Sequence, residues 1–193
     1  MSRRVHLITH PDVLIDPAVP VPDWGLSPRG VLRTQAMLAR PWVEGIGAVF
    51  SSAERKATQT AGILAMHLGL PVGIDAGLGE NDRSATGYLP KVEFEAMADA
   101  FFARPGEQVS GWEAALAAQA RMLAAVDRVL LAVPPGGDVA IIAHGGVGTL
   151  LLCHLRGVAI SRALDQPGTG GGNRFVFTDP GRLVLSAWQP IET

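Results

Sequence analysis

The sequence predicts an α/β fold, a three-layer α/β/α sandwich around a mostly parallel central sheet. Short β-rich runs alternate with helical segments along the chain. Two of those runs, 46–50 and 138–143, are apolar enough to be strands buried on both faces. Strands joined through helices require right-handed crossovers, and hence parallel neighbours with helices on both faces. All 193 residues are expected to form one domain, and the 48% hydrophobic content supplies the apolar surface for its core.

Each element has a local reason. The run Val5 to Thr9 is β-rich and stops at Pro11, so His10 stands at its carboxyl tip. Proline-rich sequence from Asp12 to Trp24 reads as a surface loop. Ser27 then caps a helix that Pro28 opens and that runs to about Arg40. Ile46 to Phe50 is the second strand, Ser51 and Ser52 enter a helix over about 54–68, and Pro71 to Ile74 is a weaker third strand. Gly77 to Pro90 is a polar, glycine-rich excursion over the sheet edge. Alanine-rich helices are expected over 91–103 and 111–133, separated by Pro105-Gly106. Asp138 to Ala143 is a buried strand ending at His144, after which Gly145-Gly146 open an apolar helix to about Arg156. A glycine-rich loop at 168–172 precedes a terminal hairpin, 174–178 and 182–188, turning at Asp179-Pro180-Gly181.

Composition removes several function classes. Sixteen Lys and Arg against eighteen Asp and Glu give a formal charge of -2, and no basic run marks a nucleic-acid or membrane partner. A lone cysteine, Cys153, makes no intrachain disulfide and suits a reducing compartment. The amino terminus lacks the apolar core of a signal peptide, and no apolar run approaches the roughly 18 residues of a membrane span. The expected location is the cytoplasm.

Function is expected at the carboxyl ends of the strands, where such sheets bind ligands. There His10 and His144 end separate strands, and Arg55 follows Ser51-Ser52 at the start of a helix. A phosphoryl group needs cationic donors and helix amino termini, which Arg55 and the segment after His144 would provide. An imidazole attacks phosphorus as a neutral nucleophile, and neighbouring cations oppose its protonation, which suits His10 beside Arg55 to covalent catalysis through a phosphohistidine. Glu80 is the candidate proton donor to the leaving oxygen, with Asp82 second.

With these residues in place, the chain resembles the histidine phosphatase superfamily, also called phosphoglycerate-mutase-like. The resemblance rests on the strand-terminal His10, on Ser51-Ser52-Ala53-Glu54-Arg55-Lys56-Ala57-Thr58-Gln59-Thr60-Ala61, and on Ile141-Ile142-Ala143-His144-Gly145-Gly146. It implies His10 as nucleophile, Arg55 and His144 in the phosphate pocket, and Glu80 as proton donor, with no metal or other cofactor. The family's first motif, Arg-His-Gly, is here Thr9-His10-Pro11, so the pocket lacks an arginine. Arg83 could swing into the vacated space, and the Thr9 hydroxyl could donate one hydrogen bond.

Three readings compete. The first is a metal-independent phosphatase acting on a small phosphorylated substrate, by phosphomonoester or phosphoramidate hydrolysis. The second is a catalytically impaired member that binds a phosphorylated ligand, with a phosphoglycerate-mutase-type phosphotransferase beside it. The third makes His10, Asp12, Glu80 and His144 a metal site. The sequence leaves the substrate and the oligomeric state open. His6, His67 and His154 are read as structural or surface residues, and 168–172 as a flexible rim.

Overall fold

The structure, a computed structural model, describes residues 2–133 and 136–193. Six strands form one sheet: β1 (Arg3–Thr9), β2 (Ile46–Ser51), β3 (Val72–Ile74), β4 (Asp138–Ala143), β5 (Asn173–Asp179) and β6 (Val184–Pro190), in the order β3-β2-β4-β1-β5-β6. The pairs β2/β3, β2/β4 and β1/β4 are parallel, whereas β1/β5 and β5/β6 are antiparallel. The parallel part is the one that helical crossovers build, and the antiparallel edge is the terminal hairpin read from the turn residues.

Helices α1 (Pro28–Met37), α2 (Arg55–Leu68), α3 (Lys91–Ala103), α4 (Ala115–Ala132) and α5 (Gly145–Leu155) cover the sheet. Ser27 caps α1 by accepting from the Gly30 amide, as its residue type predicts. One core layer places Val5 and Leu7 of β1 under Met122, Val126, Leu150 and Leu151 of α4 and α5. The other places Ile8, Ile142 and Val49 under Met37, Ala61 and Leu64 of α1 and α2. Alternation along β1 therefore turns Val5, Leu7 and Thr9 toward α5, and Ile8 and His10 the other way.

Two segments differ from the sequence reading. Helix α4 begins at Ala115, not near Gly111, because residues 111–114 are committed elsewhere. Glu113 donates its amide to the Asp82 carbonyl, and the Trp112 indole donates to Thr86. The excursion at 77–90 is no detached edge loop: Leu78 and Asn81 are buried. The Arg121 guanidinium draws this segment in by donating to the carbonyls of Gly77, Gly79 and Glu80. No described helix is long and apolar enough to cross a membrane.

Helix α5 lies close over β1 because Gly148 has no side chain. A Cβ there would stand 2.8 Å from the Trp188 ring and 2.9 Å from the Leu7 side chain. Gly148→Val should lower unfolding free energy by about 1–3 kcal/mol in urea denaturation, the usual cost of overpacking. An unchanged denaturation midpoint would contradict this close approach.

Candidate functional site

The site is assembled by strand register. Thr9 pairs with Ala143, and the next amide, that of His10, donates to the Ala143 carbonyl at 3.2 Å. Parallel neighbours lie about 4.8 Å apart, so residues following paired tips are forced together. The His10 and His144 rings meet edge-on, their centroids 5.1 Å apart. On the other side of β4 the Ser52 amide donates to the Ile142 carbonyl, which sets the Ser52 Oγ 2.7 Å from His144 Nε2.

The His10 Nδ1 lies 2.9 Å from the Pro11 carbonyl oxygen. A carbonyl only accepts, so Nδ1 carries the proton and Nε2 keeps its lone pair. Burial, then His144, and to a lesser extent Lys56, push the His10 pKa down to about 3. The imidazole is thus neutral with a fixed tautomer. Behind it, the Gly172 amide donates to the His10 carbonyl at 3.0 Å. Gly171, at φ +65°, passes so near that a Cβ would lie 2.2 Å from that oxygen. The glycine-rich segment is therefore a backing laid against His10 rather than a rim, and it needs glycine to take that path.

Lys56, not Arg55, is the buried cation. Its Nζ donates to Glu54 Oε2 at 2.5 Å and to the Val21 carbonyl at 2.8 Å. Arg55 is exposed and lines a shallow surface hollow with Asp16, Asp23, Trp24 and Gln59. The expectation of a guanidinium beside His10 is corrected here. Helix α2 starts at Arg55, and one further residue, about 100° of rotation, turns Lys56 onto the face that buries Ala57, Thr60, Ala61 and Leu64.

Glu54 is the residue that sequence reasoning missed. Its carboxylate accepts from Lys56 and, at 2.8 Å, from the Glu80 amide, and its Oε1 stands 3.2 Å from His144 Nε2. Burial alone would raise its pKa, but the adjacent His144 and Lys56, with the bonds it accepts from Lys56 and the Glu80 amide, outweigh that and hold it at about 2. His144 is held below its ordinary value by burial, against the pull of Glu54 and Glu80. Its Nδ1 is buried and has no hydrogen-bond partner among the described residues.

Glu80 reaches the same corner. Its carboxylate accepts from the amides of Gly146 and Val147, at 3.0 Å each, capping α5. Burial favours its neutral form, but Arg83, His144 and the Gly146 amide prevail and lower its pKa. Arg83 pairs with Glu80 at 3.2 Å and is held between Phe94 and Trp112, its Cζ 4.9 Å from each ring centroid. Arg83 therefore stands behind Glu80. The space beside Thr9 is taken by Gln166, whose Oε1 accepts from the Thr9 hydroxyl at 2.8 Å. Asp82 caps the turn at Ser84. Asp12, one of the four residues of the metal-site reading, is instead paired with Arg33 at 2.9 Å. Among the described residues no His, Cys, Asp and Glu group has metal-holding geometry. His6 is buried and stacked on Trp42, whereas His67 and His154 are exposed.

The molecule is thus an α/β protein with a polar corner of histidines, carboxylates and a lysine at the carboxyl edge of its parallel strands. It belongs to the histidine phosphatase superfamily: the sequence model of that superfamily's branch 1 matches residues 18–189. The matched span begins after His10, so the departure at Thr9-His10-Pro11 lies outside it. No curated protein matches the chain in sequence. Among solved structures, the chain is similar to a mycobacterial glucosyl-3-phosphoglycerate phosphatase complexed with inorganic phosphate, at 21% identity and a TM-score of 0.77 over 99% of each chain. It is similar to Bacillus stearothermophilus YhfR at 20% identity and a TM-score of 0.78 over 94% of each chain. A protein called mycobacterial hydrolase 1 gives 22% and 0.77, over 98% of this chain and 96% of that one. At these identities the likeness concerns the fold.

The depressed His10 pKa fixes the sign of one pH effect. The unfolded chain binds a proton near the ordinary value of 6.5, the folded chain only near about 3. The neutral-ring contribution to stability is therefore complete above pH 6.5 and lost as pH falls toward about 3. His6, lowered to about 4 chiefly by burial, acts in the same sense. Urea denaturation should show stability falling on acidification, and His10→Gln should reduce the slope by up to about 1.4 kcal/mol per pH unit. Equal slopes for both proteins would contradict the neutral ring.

Proposed function

We propose that the chain hydrolyses phosphate monoesters through a phosphohistidine on His10. The observation that carries this reading is the bond from Nδ1–H to the Pro11 carbonyl, which leaves a neutral Nε2 lone pair beside His144. In the first step Nε2 forms a bond to phosphorus as the ester P–O bond breaks. Lys56 and His144 hold the phosphoryl oxygens, and Glu80 gives the leaving oxygen its proton. In the second step water attacks phosphorus, Glu80 takes the water proton, and the N–P bond breaks to release inorganic phosphate.

Glu80 starts this cycle ionised, so it must take up a proton from solvent before the ester bond breaks. A phosphoryl dianion beside the Glu54 and Glu80 carboxylates raises the proton affinity of both. Acid therefore supplies the donor, while His10, with its pKa at about 3, stays a nucleophile. A second reading rests on Glu54, whose carboxylate already occupies the Lys56 ammonium and lies against His144. If that carboxylate does not yield, the corner holds a phosphorylated ligand without turning it over.

The assay is release of phosphate from an aryl and an alkyl phosphate in the presence of chelator. His10→Ala should abolish release, and Lys56→Met should cost about tenfold to a hundredfold in kcat/KM, the worth of one charged hydrogen bond. Arg55→Ala should stay within about twofold. Stoichiometric binding with no release by the wild type would favour the second reading, and Arg55 outweighing Lys56 would contradict the pocket. For the alkyl ester, kcat/KM should rise as pH is lowered from about 8 to about 5, because the depressed Glu80 must gain a proton. A fall over that range would remove Glu80 as the acid.

A further inference from the structure

Thr9 stands where the resembling family carries its first-motif arginine, and its hydroxyl is engaged by a residue from far along the chain. The Thr9 hydroxyl donates to Gln166 Oε1 at 2.8 Å and accepts from the Asn173 amide at 3.0 Å. The Asn173 side chain donates to the same Gln166 oxygen at 3.1 Å. A carboxamide whose oxygen accepts two such bonds has its orientation fixed, which leaves its amino group on the other branch of the planar amide. That group stands over Gly145, the first residue of α5: a Cβ on Gly145 would lie 2.2 Å from Gln166 Nε2. Among the described residues Nε2 donates to no protein atom.

The two residues it lies against adjoin the corner histidines in the chain. Gly145 follows His144 directly, and Thr9 precedes His10. Thr9 is turned toward α5, so a long side chain at position 9 would enter the volume that Gln166 now fills. We propose that Gln166 Nε2 is a phosphoryl-oxygen donor in this corner, and that Thr9 is a positioning residue which aims it. The inference rests on the phosphate-binding reading above. It also specifies the ligand: with a neutral carboxamide in place of a guanidinium, and with Glu54 and Glu80 nearby, the corner favours a phosphoryl group of low charge, the monoanion over the dianion.

The test is binding of inorganic phosphate and of orthovanadate to the full chain by titration calorimetry at pH about 5.5 and about 8. Gln166→Ala should weaken both ligands about tenfold, the worth of one neutral hydrogen bond, measured at a temperature where circular dichroism shows the variant fully folded. Thr9→Val should reproduce that loss, Thr9→Ser should retain wild-type affinity, and the double variant Thr9→Val/Gln166→Ala should lose no more than either single one. Wild-type binding should be tighter at the lower pH. Tight wild-type binding that survives Gln166→Ala overturns this inference and leaves the phosphatase reading standing. A wild type that binds neither anion overturns both.

Discussion

A buried ammonium persists only where acceptors surround it, because an unpaired charge out of water costs several kcal/mol. Lys56 meets that demand with the Glu54 carboxylate and the Val21 carbonyl, and much of the corner follows from the arrangement. Glu54, drawn inward, needs further donors and finds the Glu80 amide and His144. The Glu80 backbone, fixed by that bond, carries its own carboxylate onto the first amides of α5. One ion pair thereby ties the start of α2, the 77–90 segment and the start of α5 into a single unit.

The same chain of bonds sets the chemical character of the site. Two carboxylates and two cations, Lys56 and Arg83, lie around two imidazoles that burial keeps neutral. The charges balance internally, so an incoming dianion meets less attraction than a purely cationic pocket would offer. On the proposed reading, such a corner would select its ligand by protonation state and by hydrogen-bond direction more than by net charge.

Much of the architecture was legible because it depends on local pattern. Strand runs closed by Pro11 and by Gly145-Gly146 located both histidines, and turn residues located the hairpin. Which cation faces inward was also written in the sequence. The small and apolar residues Ala57, Thr60, Ala61 and Leu64 recur at helical spacing, and Lys56 shares their stripe whereas Arg55 does not. Glu54 was hidden because a charged residue at a helix start ordinarily reads as solvated. Gln166 had no local signal at all, since its partner Thr9 lies 157 positions away and the contact exists only through β1 and β5 being neighbours.

The backing of His10 makes the setting of that imidazole a long-range property. The Gly172 amide holds the His10 carbonyl, and the Gly172 carbonyl in turn accepts from the Ile191 amide at the end of the β5/β6 hairpin. A slip of register in that hairpin would therefore be felt at the imidazole without any residue of the corner being touched.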